Sequence, residues 1–139
     1  MNTKKFDFVW VDGLHEYRQV HRDVTNAIAA LKSGGFIALH DMLPMNWKLE
    51  HMPRLSLGWT GDVWEVAFEI AATKCLDFKL VTIDHDCGIF QVMDNTAPLV
   101  DLNNTFADQN FAYLDGNIKK LPMAASGETK AWIDVALNR

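Results

Sequence analysis

The chain has 139 residues, of which 49% are hydrophobic, a size and composition typical of one compact domain. Its 13 Lys and Arg against 18 Asp and Glu give a net charge of -5, so no basic surface is predicted and nucleic acid is excluded as a partner. The 2 cysteines cannot form a disulfide framework, and no apolar stretch reaches the ~18 residues that span a bilayer, so we predict a soluble, cytoplasmic protein with no membrane partner.

The first elements along the chain form a β-α-β unit. Residues 6–11 are a short apolar run that is typical of a buried strand. A helix is predicted next, because apolar residues recur at helical spacing at Tyr17, Val20, Val24, Ile28 and Leu31. Gly34 and Gly35 end this helix, and residues 36–39 form the second strand. A unit of this kind is almost always right-handed, with its two strands parallel.

A long connection follows the second strand. Residues 42–58 contain prolines, methionines and a tryptophan without a clear period, which predicts a loop. Loops of this length are commonly lids or binding loops, and a loop that only packs on the surface is the alternative. Asp62 and Glu65 have capping-box spacing, which predicts a helix that runs to about Cys75.

The last part of the chain combines a hairpin with a helical tail. Residues 78–83 and 88–93 are strand-like and lie close enough for an antiparallel hairpin with its turn at 84–87. The acidic residues of that turn are explained by turn preference rather than by metal binding. Helical patterns over 105–114 and 128–137 predict two short helices.

Both strands of the β-α-β unit end in groups that can bind a metal or move a proton. Asp12 and His15 follow the first strand, and His40 and Asp41 follow the second. The carboxyl ends of parallel strands meet at one edge of a sheet, where two carboxylates repel each other unless a cation lies between them. Mg²⁺ or Mn²⁺ suits such a site. The alternative is that Asp12 caps the following helix and His15 lies on the surface.

These residues carry a family resemblance. The segment "DFVWVDGLHEYRQVHRDVTNAIAALKSGGFIALHDMLP", with "GWTGDVWEV" further on, resembles the second half of class I S-adenosylmethionine-dependent methyltransferases, in particular small-molecule and sugar O-methyltransferases. The resemblance implies an α/β fold with a partial Rossmann-like sheet in the order 4-5-7-6, the last strand being antiparallel. Residues 1–95 would form this half-domain, and residues 96–139 a helical extension packed on it.

The resemblance also implies roles for the residues at the strand ends. Asp12, His40 and Asp41 would hold Mg²⁺ or Mn²⁺, although His40 departs from the acidic or Asp-Asn pair of more familiar members. His15 lies three residues after Asp12, the spacing of the general base in some sugar and macrolide O-methyltransferases. An imidazole can take a hydroxyl proton at neutral pH, and a metal acidifies that hydroxyl. His15 and Asp12 are therefore the predicted catalytic residues.

Two further contacts are predicted. Asp12 and Gly13 would face S-adenosylmethionine, and Trp47 in the long loop would stack on a small-molecule hydroxyl acceptor. In the family, however, the cofactor lies against a glycine-rich turn after strand 1 and an acid at the end of strand 2, and neither precedes residue 6 here. The chain is therefore expected to hold an incomplete cofactor pocket and to be inactive alone.

The missing neighbour would leave the strand at residues 6–11 as an exposed apolar edge, which predicts a homodimer joined there or a segment supplied by another polypeptide. Three interpretations follow for the chain. It is a truncated metal-assisted methyltransferase, a non-catalytic metal- or ligand-binding half-domain that acts as an oligomeric interaction module, or an unrelated flavodoxin-like domain. A sheet order other than 4-5-7-6 would favour the last.

Overall fold

The structure, a computed structural model, describes residues 5–83 and 86–138, so Asp84 and His85 of the predicted hairpin turn lie outside the described residues. The strands are β1 Phe6–Val11, β2 Leu31–Leu39, β3 Leu76–Val81, β4 Cys87–Val92 and β5 Met123–Ala124. The helices are α1 Tyr17–Ala30, α2 Trp47–Glu50, α3 Trp64–Ala72, α4 Asn103–Phe106, α5 Phe111–Asn117 and α6 Ser126–Leu137, with a 3₁₀ turn at Ile118–Lys120. Within these ranges no helix is long and apolar enough to cross a membrane.

The strands form one five-stranded sheet in the order β1-β2-β4-β3-β5. β1 and β2 are parallel, whereas β4 runs antiparallel to both β2 and β3. The first four strands therefore have the predicted 4-5-7-6 order, and β4, which corresponds to strand 7, is the antiparallel one. The α/β fold with a partial Rossmann-like sheet is confirmed. The predicted hairpin is also confirmed, as β3 and β4.

β1 and β2 end in step. Val11 pairs with Leu39, the last residue of each strand, and the amide of His40 donates to the carbonyl of Val11 at 3.2 Å. The residues that follow the two strands therefore leave the sheet at the same edge. This pairing places the two predicted ligand segments side by side.

Helix α1 covers one face of this pair of strands. Its apolar stripe, including Val24 and Ile28, is buried together with Ile37 and Leu39 of β2. The predicted helix is present, but it ends at Ala30, where the backbone of Leu31 is already extended, so the prediction that Gly34 and Gly35 end it was wrong. β2 begins at Leu31, which pairs with Phe6, and the register then shifts before Phe36 pairs with Phe8. Gly34, with a φ of 82°, lies within this irregularity.

The other face of β1 is not covered by described residues. Phe6, Phe8 and Trp10 are 53%, 54% and 50% exposed, whereas Val9 and Val11 between and after them pack against the core. Because β1 is also the last strand on its side of the sheet, it presents both an unpaired edge and an aromatic stripe.

The capping-box prediction for the second helix was wrong. α3 begins at Trp64, its N-cap residue Val63 makes no side-chain cap hydrogen bond, and the helix ends at Ala72 rather than near Cys75. Asp62 instead accepts a hydrogen bond from the amide of Tyr17 through Oδ1, at 2.5 Å. The carboxylate caps α1 rather than α3 because Glu16, at the start of α1, supplies no cap of its own.

The tail differs from its prediction in two places. The helix expected over 105–114 is divided into α4 and α5, because the side chain of Asn110 accepts from the amide of Ala112 and starts a new helix. β5 was not predicted, and it adds to the sheet by pairing Met123 with Leu80 in parallel. The C-terminal helix is present as α6.

A buried carboxylate joins α1, α3 and the tail. Glu69 is 0% exposed and accepts hydrogen bonds from the hydroxyl of Tyr17 at 2.5 Å and from the backbone amide of Leu102 at 2.8 Å. His21 Nδ1 lies 2.7 Å from its other oxygen. Burial raises the pKa of Tyr17 above its ordinary value, so the hydroxyl keeps its proton and remains a donor.

We expect Glu69→Ala to lower the free energy of unfolding by about 3 kcal/mol, because it leaves the donors of Tyr17, His21 and Leu102 without their shared acceptor. Tyr17→Phe, which removes one donor, should cost about 1 kcal/mol. Urea unfolding followed by circular dichroism measures both. An Ala variant within about 0.5 kcal/mol of wild type would show that this network does not join the helices.

Candidate functional site

Three predicted residues meet at the carboxyl ends of β1 and β2. Among the described residues, Asp12, His15 and Asp41 offer ligand atoms that all lie within 4.8 Å of one another. Nε2 of His15 lies 3.2 Å from Oδ2 of Asp41 and 3.9 Å from Oδ1 of Asp12. The side chain of Asp12 is 45% exposed, whereas those of His15 and Asp41 are 23% and 13% exposed. The cluster is therefore open on the side of Asp12.

The orientation of His15 is fixed by a backbone carbonyl. Its Nδ1 lies 2.7 Å from the carbonyl oxygen of Trp59, which can only accept, so Nδ1 carries the proton of the neutral ring. Nε2 then presents a lone pair towards the two carboxylates. Three acceptors that converge in this way repel one another unless a proton or a cation lies between them. The arrangement is that of a metal ligand or a general base whose tautomer is fixed by the hydrogen bond of its other nitrogen.

Gly61 forms the wall behind His15. Its φ of +62° lies in the left-handed region, and a Cβ there would come within 1.8 Å of the carbonyl oxygen of His15. Its amide also donates to the carbonyl of Leu49 at 3.1 Å, which ties this segment to α2. Sequence reasoning did not assign Gly61 or Trp59 to the site, although both lie in the segment "GWTGDVWEV" that carries part of the resemblance.

His40 and Asp41 lie together on the same rim. Nδ1 of His40 is 3.1 Å from Oδ2 of Asp41 and 3.8 Å from Oδ1 of Asp12, and its ring lies 5.9 Å from that of Trp10. Asp41 has a φ of 54°, which is uncommon for a residue other than glycine and is concentrated at functional sites. The structure thus places all three predicted metal ligands at one edge, with His15 among them.

Gly13 borders a separate groove. A space of about 420 Å³ runs along the free edge of β1 and the side of α1, and its lining includes Trp10, Asp12, Gly13, Asp23 and Asn26. Gly13 therefore lies beside the cluster on the side where β1 has no neighbouring strand. The predicted contact of Asp12 and Gly13 with the methyl donor would have to be made from this groove.

Trp47 lies on α2, in the segment that was predicted to be a loop. It is 53% exposed, and it lines a cleft of about 370 Å³ with Glu50, His51 and Phe111. Its ring lies 6.2 Å from that of His51. The structure thus places Trp47 at a cleft whose lining does not include Asp12, His15 or Asp41.

Comparison with known proteins supports a methyltransferase domain. A family model described as "Methyltransferase domain" matches residues 1–42 of the chain. The matched range contains all four residues of the strand-end rim, namely Asp12, His15, His40 and Asp41. Methyltransferase domains in general imply S-adenosylmethionine as the methyl donor. No curated protein and no solved structure matches the chain.

We expect Gly61→Ala to lower the free energy of unfolding by about 3 kcal/mol, because the added Cβ would collide with the carbonyl of His15 at a positive φ. Gly116→Ala is the matched control, since a Cβ there meets nothing within 4 Å and Gly116 lies in α5. The control should be neutral or gain about 0.5 kcal/mol. Urea unfolding of both variants measures the difference, and equal stabilities would contradict the close approach of Gly61 to His15.

Proposed function

We propose that this chain forms the metal- and acceptor-binding side of an O-methyltransferase site that uses S-adenosylmethionine to methylate a small-molecule or sugar hydroxyl. The observation that carries the proposal is the convergence of Asp12, His15 and Asp41 at one sheet edge, within the range that matches a methyltransferase domain. In open α/β sheets, ligands bind outside the carboxyl ends of the strands, where these side chains lie.

The donor set fits a hard divalent cation. Asp12 and Asp41 supply carboxylate oxygens, and His40 lies beside both of them. Mg²⁺ and Mn²⁺ take oxygen ligands and keep several waters, which suits a cluster that is exposed on the side of Asp12. A bound cation would lower the pKa of an acceptor hydroxyl and fix its oxygen at the rim.

His15 is the residue we assign to proton removal. The bond from Nδ1 to the carbonyl of Trp59 leaves Nε2 as the basic nitrogen, and Nε2 faces the carboxylates that would hold the cation. A hydroxyl bound there would give its proton to Nε2, and Asp41, at 3.2 Å, would stabilise the imidazolium that forms. Asp12 and Asp41 would orient the acceptor through the cation.

The methyl donor fits less well. Asp12 and Gly13 border the groove along β1, but no glycine-rich turn follows a strand in residues 5–83 or 86–138. The described residues therefore offer no complete pocket for an adenosyl group. We assign them the cation and the acceptor, and propose contact with the donor at Asp12 and Gly13 alone.

A second candidate function is favoured by the open edge of β1. Phe6, Phe8 and Trp10 are half exposed on a strand with no partner on one side among the described residues. Two copies related by a twofold axis could pair these edges in antiparallel fashion, and the same aromatic stripe would then meet itself. A half-domain of this kind would act as an oligomeric, metal- or ligand-binding interaction module, and the homodimer serves both candidate functions.

Calorimetric titration with MnCl₂ tests the metal assignment. We expect wild type to bind Mn²⁺ and Asp41→Asn to bind it about 10-fold or more weakly, because one charged ligand is lost. Asn tolerates the left-handed backbone at φ 54°, so the fold should be retained. Asp134→Asn, with the same charge change on α6, is the control and should bind as wild type does.

The same titrations separate a base from a ligand at His15. His15→Gln should keep Mn²⁺ binding within about 3-fold if the residue takes a proton, and should lose it as Asp41→Asn does if it is a ligand.

Catechol is a suitable acceptor probe because its two adjacent hydroxyls can chelate a cation. Catechol binding that is the same with and without Mn²⁺ would contradict a metal-held acceptor.

Sedimentation velocity tests the edge contact. We expect wild type to form a dimer and Phe8→Lys to weaken it about 10-fold or more, because the change places a charge in the middle of the paired edge. Leu57→Lys is the control, since Leu57 is 93% exposed in the segment before α3. A wild type that stays monomeric at high concentration would contradict the dimer.

A further inference from the structure

A second acidic cleft lies between α2, α3 and the segment that joins α4 to α5. Its volume is about 280 Å³, close to the lower end of small-molecule pockets. The wall includes three carboxylates, a phenyl ring, an imidazole and two side-chain amides, from Glu50, Asp62, Glu65, Phe106, His51, Gln109 and Asn110. Asp12, His15 and Asp41 do not line it, so this cleft is distinct from the strand-end cluster.

Two of the three carboxylates have structural partners. Asp62 accepts from the amide of Tyr17 at 2.5 Å, and Glu50 accepts from the amide of Phe111 at 3.1 Å. Each of them thereby caps the start of a helix. Their presence in the cleft is explained without a ligand.

Glu65 lies in the first turn of α3, where the helix dipole favours a carboxylate, but it caps no helix by a hydrogen bond as the other two do. It is 7% exposed, and within the described part of the chain its carboxylate makes no hydrogen bond or ion pair at normal contact distance. The nearby guanidinium of Arg18 instead lies 3.6 Å from Asp101. The Glu65 oxygens are not among the fully buried atoms that lack a partner, so they reach the open cleft, where a ligand can contact them. A carboxylate on a residue that is more than nine-tenths buried gains more from a cationic partner than an exposed one does.

The electrostatics of the cleft favour a positively charged ligand. Burial, together with the charges of Asp62, Glu50 and Glu69, raises the pKa of Glu65 to about 8, against a lowering effect from Arg18. Burial also raises the pKa values of Glu50 and Asp62. A cation bound between these carboxylates would stabilise their ionised forms and so lower their pKa values.

The spacing of the carboxylates indicates an organic cation rather than a single metal ion. In the described residues, three ligand atoms come within 4.8 Å of one another at Asp12, His15 and Asp41, and no such set is found in this cleft. An ammonium group has three donors and can reach acceptors that are further apart. The ring of Phe106 in the wall is a further favourable surface for a cation.

A neighbouring cleft suggests the rest of the ligand. The cleft of about 370 Å³ described above shares Glu50, His51 and Asn110 with the acidic one and adds the rings of Trp47 and Phe111. An amine that enters from this side would keep its charged end at the carboxylates and its apolar body against these rings.

We propose that this pair of clefts binds a small organic amine, with its ammonium group among Glu50, Asp62 and Glu65 and its apolar body against Trp47 and Phe111. The proposal does not depend on methyl transfer. The whole chain can be tested with phenethylamine as the probe and 2-phenylethanol as its uncharged counterpart.

Isothermal titration calorimetry at pH 8 should show binding of phenethylamine to wild type and about 10-fold or more weaker binding to Glu65→Gln, because a buried charge-assisted contact is lost. Glu128→Gln, which removes a charge from the first turn of α6, should bind as wild type does. Trp47→Ala should also weaken binding, and this half-exposed residue can be changed without disturbing the core.

The pH dependence gives an independent readout. At a pH below its pKa of about 8, Glu65 in the empty cleft holds a proton, and this proton must leave before the carboxylate can pair with an ammonium group. The amine stays protonated across this range. Affinity in wild type should therefore rise from pH 6 to pH 8 with release of a proton, and this rise should be absent in Glu65→Gln. The other charged or titratable groups around Glu65 are Glu50, Asp62, Glu69, Arg18 and His51.

Three outcomes would overturn the proposal. Equal binding of phenethylamine to wild type and Glu65→Gln would show that the ammonium group does not contact Glu65. Binding of 2-phenylethanol to wild type as tightly as phenethylamine would show that the ligand does not need an amine. Mn²⁺ binding that is lost in Glu65→Gln and kept in Asp41→Asn would make the cleft a metal site instead. Circular dichroism and thermal unfolding of each variant check that the fold is unchanged.

Discussion

The parallel register of β1 and β2 is the constraint on which the strand-end cluster depends. Because Val11 pairs with Leu39, both strands stop at the same level, and the next residues of each can reach one point. A slip of one residue would turn the side chains of one strand to the opposite face of the sheet. The apolar stripe of α1 prevents this slip, since it packs only on the face that carries Ile37 and Leu39.

The parts of the structure that could be predicted from the sequence are those with a local signal. Apolar runs that stop abruptly identified β1 and β2, and the helical period between them identified α1. Given a parallel β-α-β unit, the meeting of Asp12 with Asp41 follows from the geometry of sheets rather than from any further information. The hairpin of β3 and β4 was predictable for the same reason, because a short turn joins two strand-like runs.

What could not be predicted depends on partners distant in the chain. Asp62 has the spacing of a cap for α3, yet it caps α1 at Tyr17, 45 residues away. The sequence pattern alone would place Glu69 on the surface of a helix, whereas in the structure it binds the hydroxyl of Tyr17, 52 residues earlier. The tautomer of His15 is set by the backbone carbonyl of Trp59, and a carbonyl has no residue type by which a sequence could reveal it.

The left-handed backbone at Asp41 has a consequence for how the site can evolve. At a φ of 54°, the residues that fit with the least strain are glycine, asparagine and aspartate, so the backbone alone disfavours most other side chains. Of these three, aspartate alone carries a charge, and asparagine lies one nucleotide change away from it. A lineage could therefore change this rim from charged to neutral in one step and keep its fold, which makes the residue at position 41 a simple marker for sorting related sequences.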